Sequence, residues 1–328
     1  GGGAFSFKDG FDGMGIFWDQ IPNIANVETN ENFAPILYLH RRLIPDTGGP
    51  GAYRGGRTAG LAFTIHDANF LEAVLVGHGV EVPNSSGLHG GMPASCNVNT
   101  LVKGSDILER FKGGEFPTHI EELKGEQIDL GAKPGRFMLA PGDVLEYTWQ
   151  GGGGYGDPLD RDPALVLKDV ARGAVSFGAA ASIYGVKIDP RTMDVEAAAT
   201  ARIREKIRKE RAESAGTSAS STDTGGRDPK PIMRLGAALE LAEVAGKKII
   251  RCRCGRQLGP ATENWKTHAA QRVVPPTAAG PLVKLHTELE MREYACPNCG
   301  TLHSVDIAYK EDPPLWDIEL IVRGGITK

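Results

Sequence analysis

Four of the five cysteines fall in two tight pairs late in the chain, Cys252-Arg-Cys254-Gly255 and Cys296-Pro-Asn-Cys299-Gly300. No other feature limits the fold as much. Thiolates are the preferred zinc ligands, and a closed tetrahedral site needs four of them, held here from two short knuckles. A glycine after each pair lets the backbone wrap around the sulfurs. The few dozen residues between the pairs suffice for a small ribbon of strands. Cys-x-Cys is tighter than the common two-residue gap. Two paired knuckles at ribbon spacing nevertheless point to a structural zinc on Cys252, Cys254, Cys296 and Cys299. The alternatives are a redox pair or two unrelated thiol pairs. Glycine after both knuckles, with the leftover Cys96 far away in sequence, argues against a disulfide framework.

At 328 residues the chain has room for one large or two ordinary domains. Its 37 basic and 41 acidic side chains leave it slightly acidic, without the basic excess of a general nucleic-acid binder. No apolar run reaches the roughly 18 residues of a membrane span, so no membrane segment is expected. No signal peptide is visible, and the thiol chemistry fits a reducing cytoplasm. Most of the 43 glycines lie before residue 160, which suggests tight turns and loops around strands instead of a helical bundle. The start at Gly1-Gly2-Gly3, without methionine, fits a cut or processed chain.

The texture changes along the chain. Leu61–Ile65, Ala73–Val76 and Val144–Trp149 suit strands, the last entered through the turn Pro141-Gly142-Asp143. From Asp162, which can cap a helix with Pro163 at its first position, a helix is expected to about Val170 and to stop at Gly173. A second covers Phe177 to Tyr184. A third, after Asp194, carries Val195, Ala199, Ile203 and Ile207 on one stripe, with Arg202, Glu205, Lys206 and Lys209 on solvated faces. Residues 214–231 are small, polar and proline-ended and read as a flexible linker to a separate module. In that module Leu235 to Val244 is a short helix candidate. Lys248–Arg251, the alternating stretch from Leu285 to Met291, and Val305 to Tyr309 read as strands, with the knuckles at strand ends. The expected class is α+β: a strand- and loop-rich domain with short helices (1–213), the linker (214–231) and a small β-rich zinc-ribbon domain (232–328).

The run Gly151-Gly-Gly-Gly-Tyr-Gly156 is no nucleotide loop. It lacks a Gly-Lys-Ser/Thr ending, no helix opens on it, and no acidic residue follows at dinucleotide-fold spacing. A structural turn or a backbone-lined subunit contact is the expectation, and the chain alone should not bind ATP. His78 and His89, among glycines, are candidates for acid, base or ligand roles; the alternative is ordinary loop histidines bonded to backbone. Asp9, Asp12 and Asp19, loosely spaced between glycines, are a divalent-cation candidate. There is no Gly-x-Ser-x-Gly elbow, and no histidine partner can be argued for Cys96.

Asn26-Val-Glu28, Ile44-Pro-Asp46-Thr-Gly-Gly49-Pro-Gly51-Ala-Tyr-Arg54-Gly-Gly56, Leu88-His-Gly90-Gly91 and Gly151-Gly-Gly-Gly-Tyr-Gly156-Asp-Pro158-Leu-Asp-Arg-Asp162-Pro163 resemble the hydantoinase B/oxoprolinase family. Val170-Ala-Arg-Gly173 and Tyr184-Gly-Val186 continue the likeness. It covers residues 1 to about 212 and corresponds to roughly the C-terminal half of a family chain. The family's earlier aspartate- and histidine-bearing motifs are missing here, so another divalent metal is expected outside this chain. The end of the chain resembles the small zinc-bearing subunit of acetone and acetophenone carboxylases, through both knuckles and Asn264-Trp265-Lys266.

The two resemblances together imply one subunit of an ATP-dependent, biotin-independent ketone carboxylase forming a β-keto acid from ketone and bicarbonate. They imply a hydantoinase A-type partner that binds MgATP, and a partner carrying the remaining half of the hydantoinase B-like region. The alternatives are a subunit of an ATP-dependent hydantoinase or 5-oxoprolinase, or a non-catalytic assembly subunit.

Overall fold

The computed structural model describes residues 1–14, 25–214 and 230–319. The first region opens with helix α1 (Val27–Phe33), capped by Asn26, whose side chain accepts from Thr29 N–H at 2.7 Å. Strands β1 (Ile36–Leu43), β2 (Ala59–Ile65), β3 (Leu71–Leu75) and β4 (Val98–Lys103), helix α2 (Ile107–Lys112), and strands β5 (Glu126–Asp129), β6 (Gly135–Leu139) and β7 (Val144–Thr148) follow. Five of the strands form an antiparallel sheet in the order β1-β2-β7-β4-β5, and β3 pairs with β6 apart from it. Alternation along the strands sends neighbouring residues to opposite faces. Val102 and Val144 pack with Ala62, Ile107 and Ile120 under α2, while Leu101 and Leu145 pack with Ile65 and Leu139 under the β3–β6 pair.

Helix α3 (Pro163–Ala171) begins as its sequence requires: Asp162 accepts from Ala164 N–H at 2.8 Å and Pro163 fills a position whose N–H would be unpaired. Gly173, at φ +63°, turns the chain out of it. Helix α4 (Phe177–Ser182), a short pair of strands β8 (Ile188–Asp189) and β9 (Asp194–Val195), and helix α5 (Ala197–Glu213) complete this part. On α5 the residues Arg202, Glu205, Lys206 and Lys209 are exposed.

The last part contains β10 (Lys230–Arg234), β11 (Leu239–Val244), β12 (Lys247–Cys252) and β13 (Gln257–Pro260), one sheet in that order. A second sheet is built from β14 (Ala270–Val274), β15 (Leu289–Ala295) and β16 (Leu302–Tyr309). Leu235–Val244 is therefore not a helix. Its leucines, alanines and glutamates favour helix locally, but Val244 pairs with Lys247 across a two-residue turn, Ala245 at φ 49° and Gly246 at φ 79°. Such a turn fixes a hairpin, and Leu239, Leu241 and Val244 are then buried. The strand expected from Leu285 starts only at Leu289, because Thr287-Glu288 is a turn and His286 N–H bonds out to Glu81 O at 2.8 Å.

This last part is not separate in space. One apolar core joins Met92, Val166, Tyr184 and Val186 to Met291, Leu302 and Val305. The linker assigned to 214–231 lies, for 215–229, outside the described residues; Ser214 ends α5 and Lys230-Pro231 already belong to β10.

Candidate metal centre

The first knuckle leaves β12 at Cys252, and the second leaves β15 just before Cys296. Each closes on its own backbone: Gly255 N–H donates to Cys252 O, and Gly300 N–H to Cys296 O, both at 2.9 Å. The trailing glycines adopt φ +94° and +66°, where a Cβ is disfavoured. Beneath them lie Trp265, Tyr294, Leu258 and Ile250, all fully buried.

The four sulfurs of Cys252, Cys254, Cys296 and Cys299 lie within 4.8 Å of one another. Cys252 Sγ stands 3.7 Å from Cys299 Sγ, and Cys254 Sγ 3.6 Å from Cys296 Sγ. Four sulfurs about 2.3 Å from a central ion form a tetrahedron with edges of about 3.8 Å, and these distances fit it. They are far from the roughly 2.05 Å of a disulfide, and all five cysteines are free. Contacts to Cys296 and Cys299 push the Cys252 thiol up, while the same crowding pulls Cys299 down as it receives bonds from Cys252 and Cys296. Four thiols packed so closely do not all ionise without a cation between them; a divalent ion removes that obstacle. Thr301 Oγ1 lies 3.1 Å from Cys299 Sγ and Asn298 Nδ2 3.6 Å from Cys254 Sγ, a supporting shell for the sulfurs.

Just past the second knuckle, Leu302 is tied to Asp157 at the end of the glycine run, which is not a surface turn. Gly151 to Gly154 are buried. A Cβ on Gly151 would stand 1.8 Å from Thr47 O, on Gly152 1.9 Å from Gly2 O, on Gly153 2.0 Å from Ser86 O and on Gly154 2.1 Å from Pro50 O. The run donates from Gly152 N–H to Gly56 O and from Gly154 N–H to Met92 O. It accepts from Gly49 at Gly152 O, from Ala4 at Gly153 O and from Leu88 at Gly154 O. Backbone packs on backbone in several directions, as in crowded glycine helices where only a hydrogen fits at the axis.

Asp157, next along the chain, fastens the ribbon. One of its oxygens accepts from Leu302 N–H at 3.0 Å, and Arg211 of α5 reaches both oxygens at 3.0 and 3.1 Å. Burial works against the charge, yet Arg211 and two backbone N–H groups hold the carboxyl below its usual range. Arg208 reaches Asp160 at 2.6 Å, and so does Arg253 of the first knuckle. Arg204 donates to the carbonyls of Tyr184 and Arg161. Arginines at steps of four and three on the inner side of α5 were the signal for this clamp.

His78 and His89 are not drawn into the thiol cluster. His78 is exposed, its Nδ1 bonded to Asn84 Nδ2. His89, at φ 54°, is half-buried with its ring 5.3 Å from that of Tyr155, and Gly236 leaves room for it. Burial lowers its pKa. Asp9 and Asp12 do not form a cation loop. Arg161 grips Asp9 with two bonds of 2.7 Å, and Arg57 holds Asp12 at 2.8 and 2.9 Å; guanidinium groups take the oxygens a cation would need. Asp19 lies outside the described residues. Among the described residues no helix is long and apolar enough to cross a membrane.

A backbone-packed glycine run clamped through Gly-Asp-Pro to a four-cysteine ribbon defines a chain of two matched parts. Residues 1–158 match the model of the hydantoinase B/oxoprolinase family, and residues 229–324 that of the acetone carboxylase gamma subunit. Residues 1–158 are thus hydantoinase B/oxoprolinase-like, and residues 229–324 are gamma-subunit-like. It is 30% identical over 227 residues to the acetone carboxylase alpha subunit of Xanthobacter autotrophicus, covering 64% of this chain and 29% of that one. Over 166 residues it is 32% identical to the caprolactamase subunit beta of Pseudomonas jessenii, covering 50% of this chain and 25% of that one. A nucleotide-free structure of acetone carboxylase superposes with a TM-score of 0.57 at 26% identity, covering 64% of this chain and 30% of that chain. This chain therefore spans under a third of the length of these relatives.

Proposed function

We propose that this chain is part of an ATP-dependent, biotin-independent ketone carboxylase, which forms a β-keto acid from a ketone and bicarbonate. The observation that supports this reading is the ribbon: a gamma-subunit-like module with four converging sulfurs, packed into one body with the hydantoinase B-like region. A lactam-opening enzyme of the same family has no evident use for that module. A hydantoinase A-type partner would bind MgATP, activating bicarbonate by phosphorylation, and a further partner would carry the rest of the hydantoinase B-like region with any catalytic divalent metal. The four cysteines would hold a structural zinc; with every position filled by thiolate, it would supply no Lewis-acid chemistry.

The chain's own work in this scheme is enclosure and positioning, since an activated carboxyl species must be kept from water. His78 and His89 are its candidates for moving protons at the interface. His78 is open to solvent, whereas His89 is half-buried against Tyr155, where burial lowers its pKa and makes it the weaker base.

The test uses the native complex. With ATP and a ketone, labelled bicarbonate should enter an acid-labile acid, and ATP turnover should depend on bicarbonate. Opening of a cyclic amide with ATP and no incorporation of label would establish the hydrolase reading instead.

A further inference from the structure

A cleft of about 230 Å³ lies between the N-terminal segment and α3, away from the cysteines. Its floor is Arg54 and Arg161, which are 6% and 1% exposed. Arg57, Lys168 and Arg172 surround it, with Leu165 and Ala174 as an apolar wall. Three carboxylates, Asp9, Asp12 and Asp169, also line it, so five cations face three anions and two positive charges remain uncompensated.

The aspartates are already engaged. Asp9 takes both bonds from Arg161, Asp12 is held by Arg57, and Asp169 accepts from Arg161 at 2.7 Å with Arg54 at 3.6 Å. Donors are left over. Arg54 Nε is buried and makes no hydrogen bond; its one carboxylate neighbour, Asp169 Oδ2, stands 3.6 Å away, beyond hydrogen-bond length. Among the described residues, no carboxylate pairs with Lys168 or Arg172, both exposed at the mouth. A buried guanidinium N–H that makes no hydrogen bond is costly, and guanidinium groups suit planar and tetrahedral oxyanions.

We propose that this cleft binds a small oxyanion of the phosphate or bicarbonate kind, seated over Arg54 and drawn in by Lys168 and Arg172. The site stands on its own residues and does not depend on the carboxylase reading.

The full chain, loaded with zinc, is titrated calorimetrically with inorganic phosphate and separately with bicarbonate, at ionic strength fixed by chloride. At least one of the two should bind saturably at a single site, and which one does identifies the source of the anion. Lys168→Gln combined with Arg172→Gln should weaken binding by about tenfold or more, with thermal unfolding in the absence of the anion unchanged. Leu165→Glu, an exposed wall residue, would set a new carboxylate at the mouth and should abolish binding without touching the floor. No saturation by either anion up to about 10 mM, or equal binding by the parent and both variants, overturns the site.

Discussion

Around Gly151–Gly154 the chain is held by backbone lying on backbone, with carbonyls about where a Cβ would be. Around Cys252 and Cys296 it is held by side chains whose donor atoms converge on one point. The first arrangement depends on what is absent from the residue, the second on what is present and on an ion that no residue supplies. They meet at Asp157, which closes the glycine run and accepts from the ribbon's Leu302 N–H. The difference teaches where each region is vulnerable: the glycine core to any added atom, the ribbon to loss of a ligand or of metal.

The sharpest break in that contrast is a ligand substitution. Cys296→Ser should forfeit zinc and with it binding energy on the order of 10 kcal/mol, leaving the ribbon unfolded. Elemental analysis checks this; a variant that still carries one zinc per chain removes Cys296 from the ligand set. Next in size is Gly152→Ala, whose new Cβ would meet Gly2 O at 1.9 Å and should cost about 4 kcal/mol or more in chemical denaturation. Gly104, at φ +60° with nothing within 4 Å, is the control. Its alanine variant should lose only about 1–2 kcal/mol, the cost of the left-handed backbone alone. Equal losses would show that crowding is not what selects glycine at 152.

The junction gives a third effect. Asp157→Ala leaves Arg211 buried with Glu293 at 3.7 Å as its remaining carboxylate, and should cost about 3 kcal/mol. A protease site placed within 215–229 extends the test. After cleavage the two pieces should co-elute in the parent and come apart in the Asp157→Ala variant. Separation of the parent pieces would mean the shared core is too weak to join them.

The smallest effect is in pH. His40 on β1 has both ring nitrogens buried without hydrogen bonds, and burial, then Arg42, lowers its pKa to about 4. Its unfolded value is 6.5, so the unfolded chain takes the proton first and stability falls as pH drops from about 6.5 towards 4. Glu146 beside it is raised by burial and acts in the opposite sense. Glu146→Gln should therefore uncover the His40 loss, on the order of 1 kcal/mol. A flat urea midpoint across that window would remove it.

Much of this was legible from local chemistry. The paired cysteines with their glycines, the Asp162-Pro163 cap and the strands β2 and β7 carry their own signals, because short-range geometry decides them. What was not legible depends on distant partners. Leu235–Val244 reads as helix until β12 pairs with Leu239–Val244. The glycine run reads as a turn because its packing surfaces, Gly2, Thr47 with Pro50, and Ser86, come from three remote segments. Asp9 and Asp12 read as part of a divalent-cation loop until Arg161 and Arg57 fold onto them.

The most direct test of the ribbon account is hydrogen exchange on the zinc-loaded chain before and after chelation. Removal of one zinc per chain should strip protection from the knuckles and from β11, β12 and β13, while the amides of Gly152 and Gly154 stay protected. Full protection of the ribbon in metal-free protein, or loss concentrated in the glycine core, would contradict it.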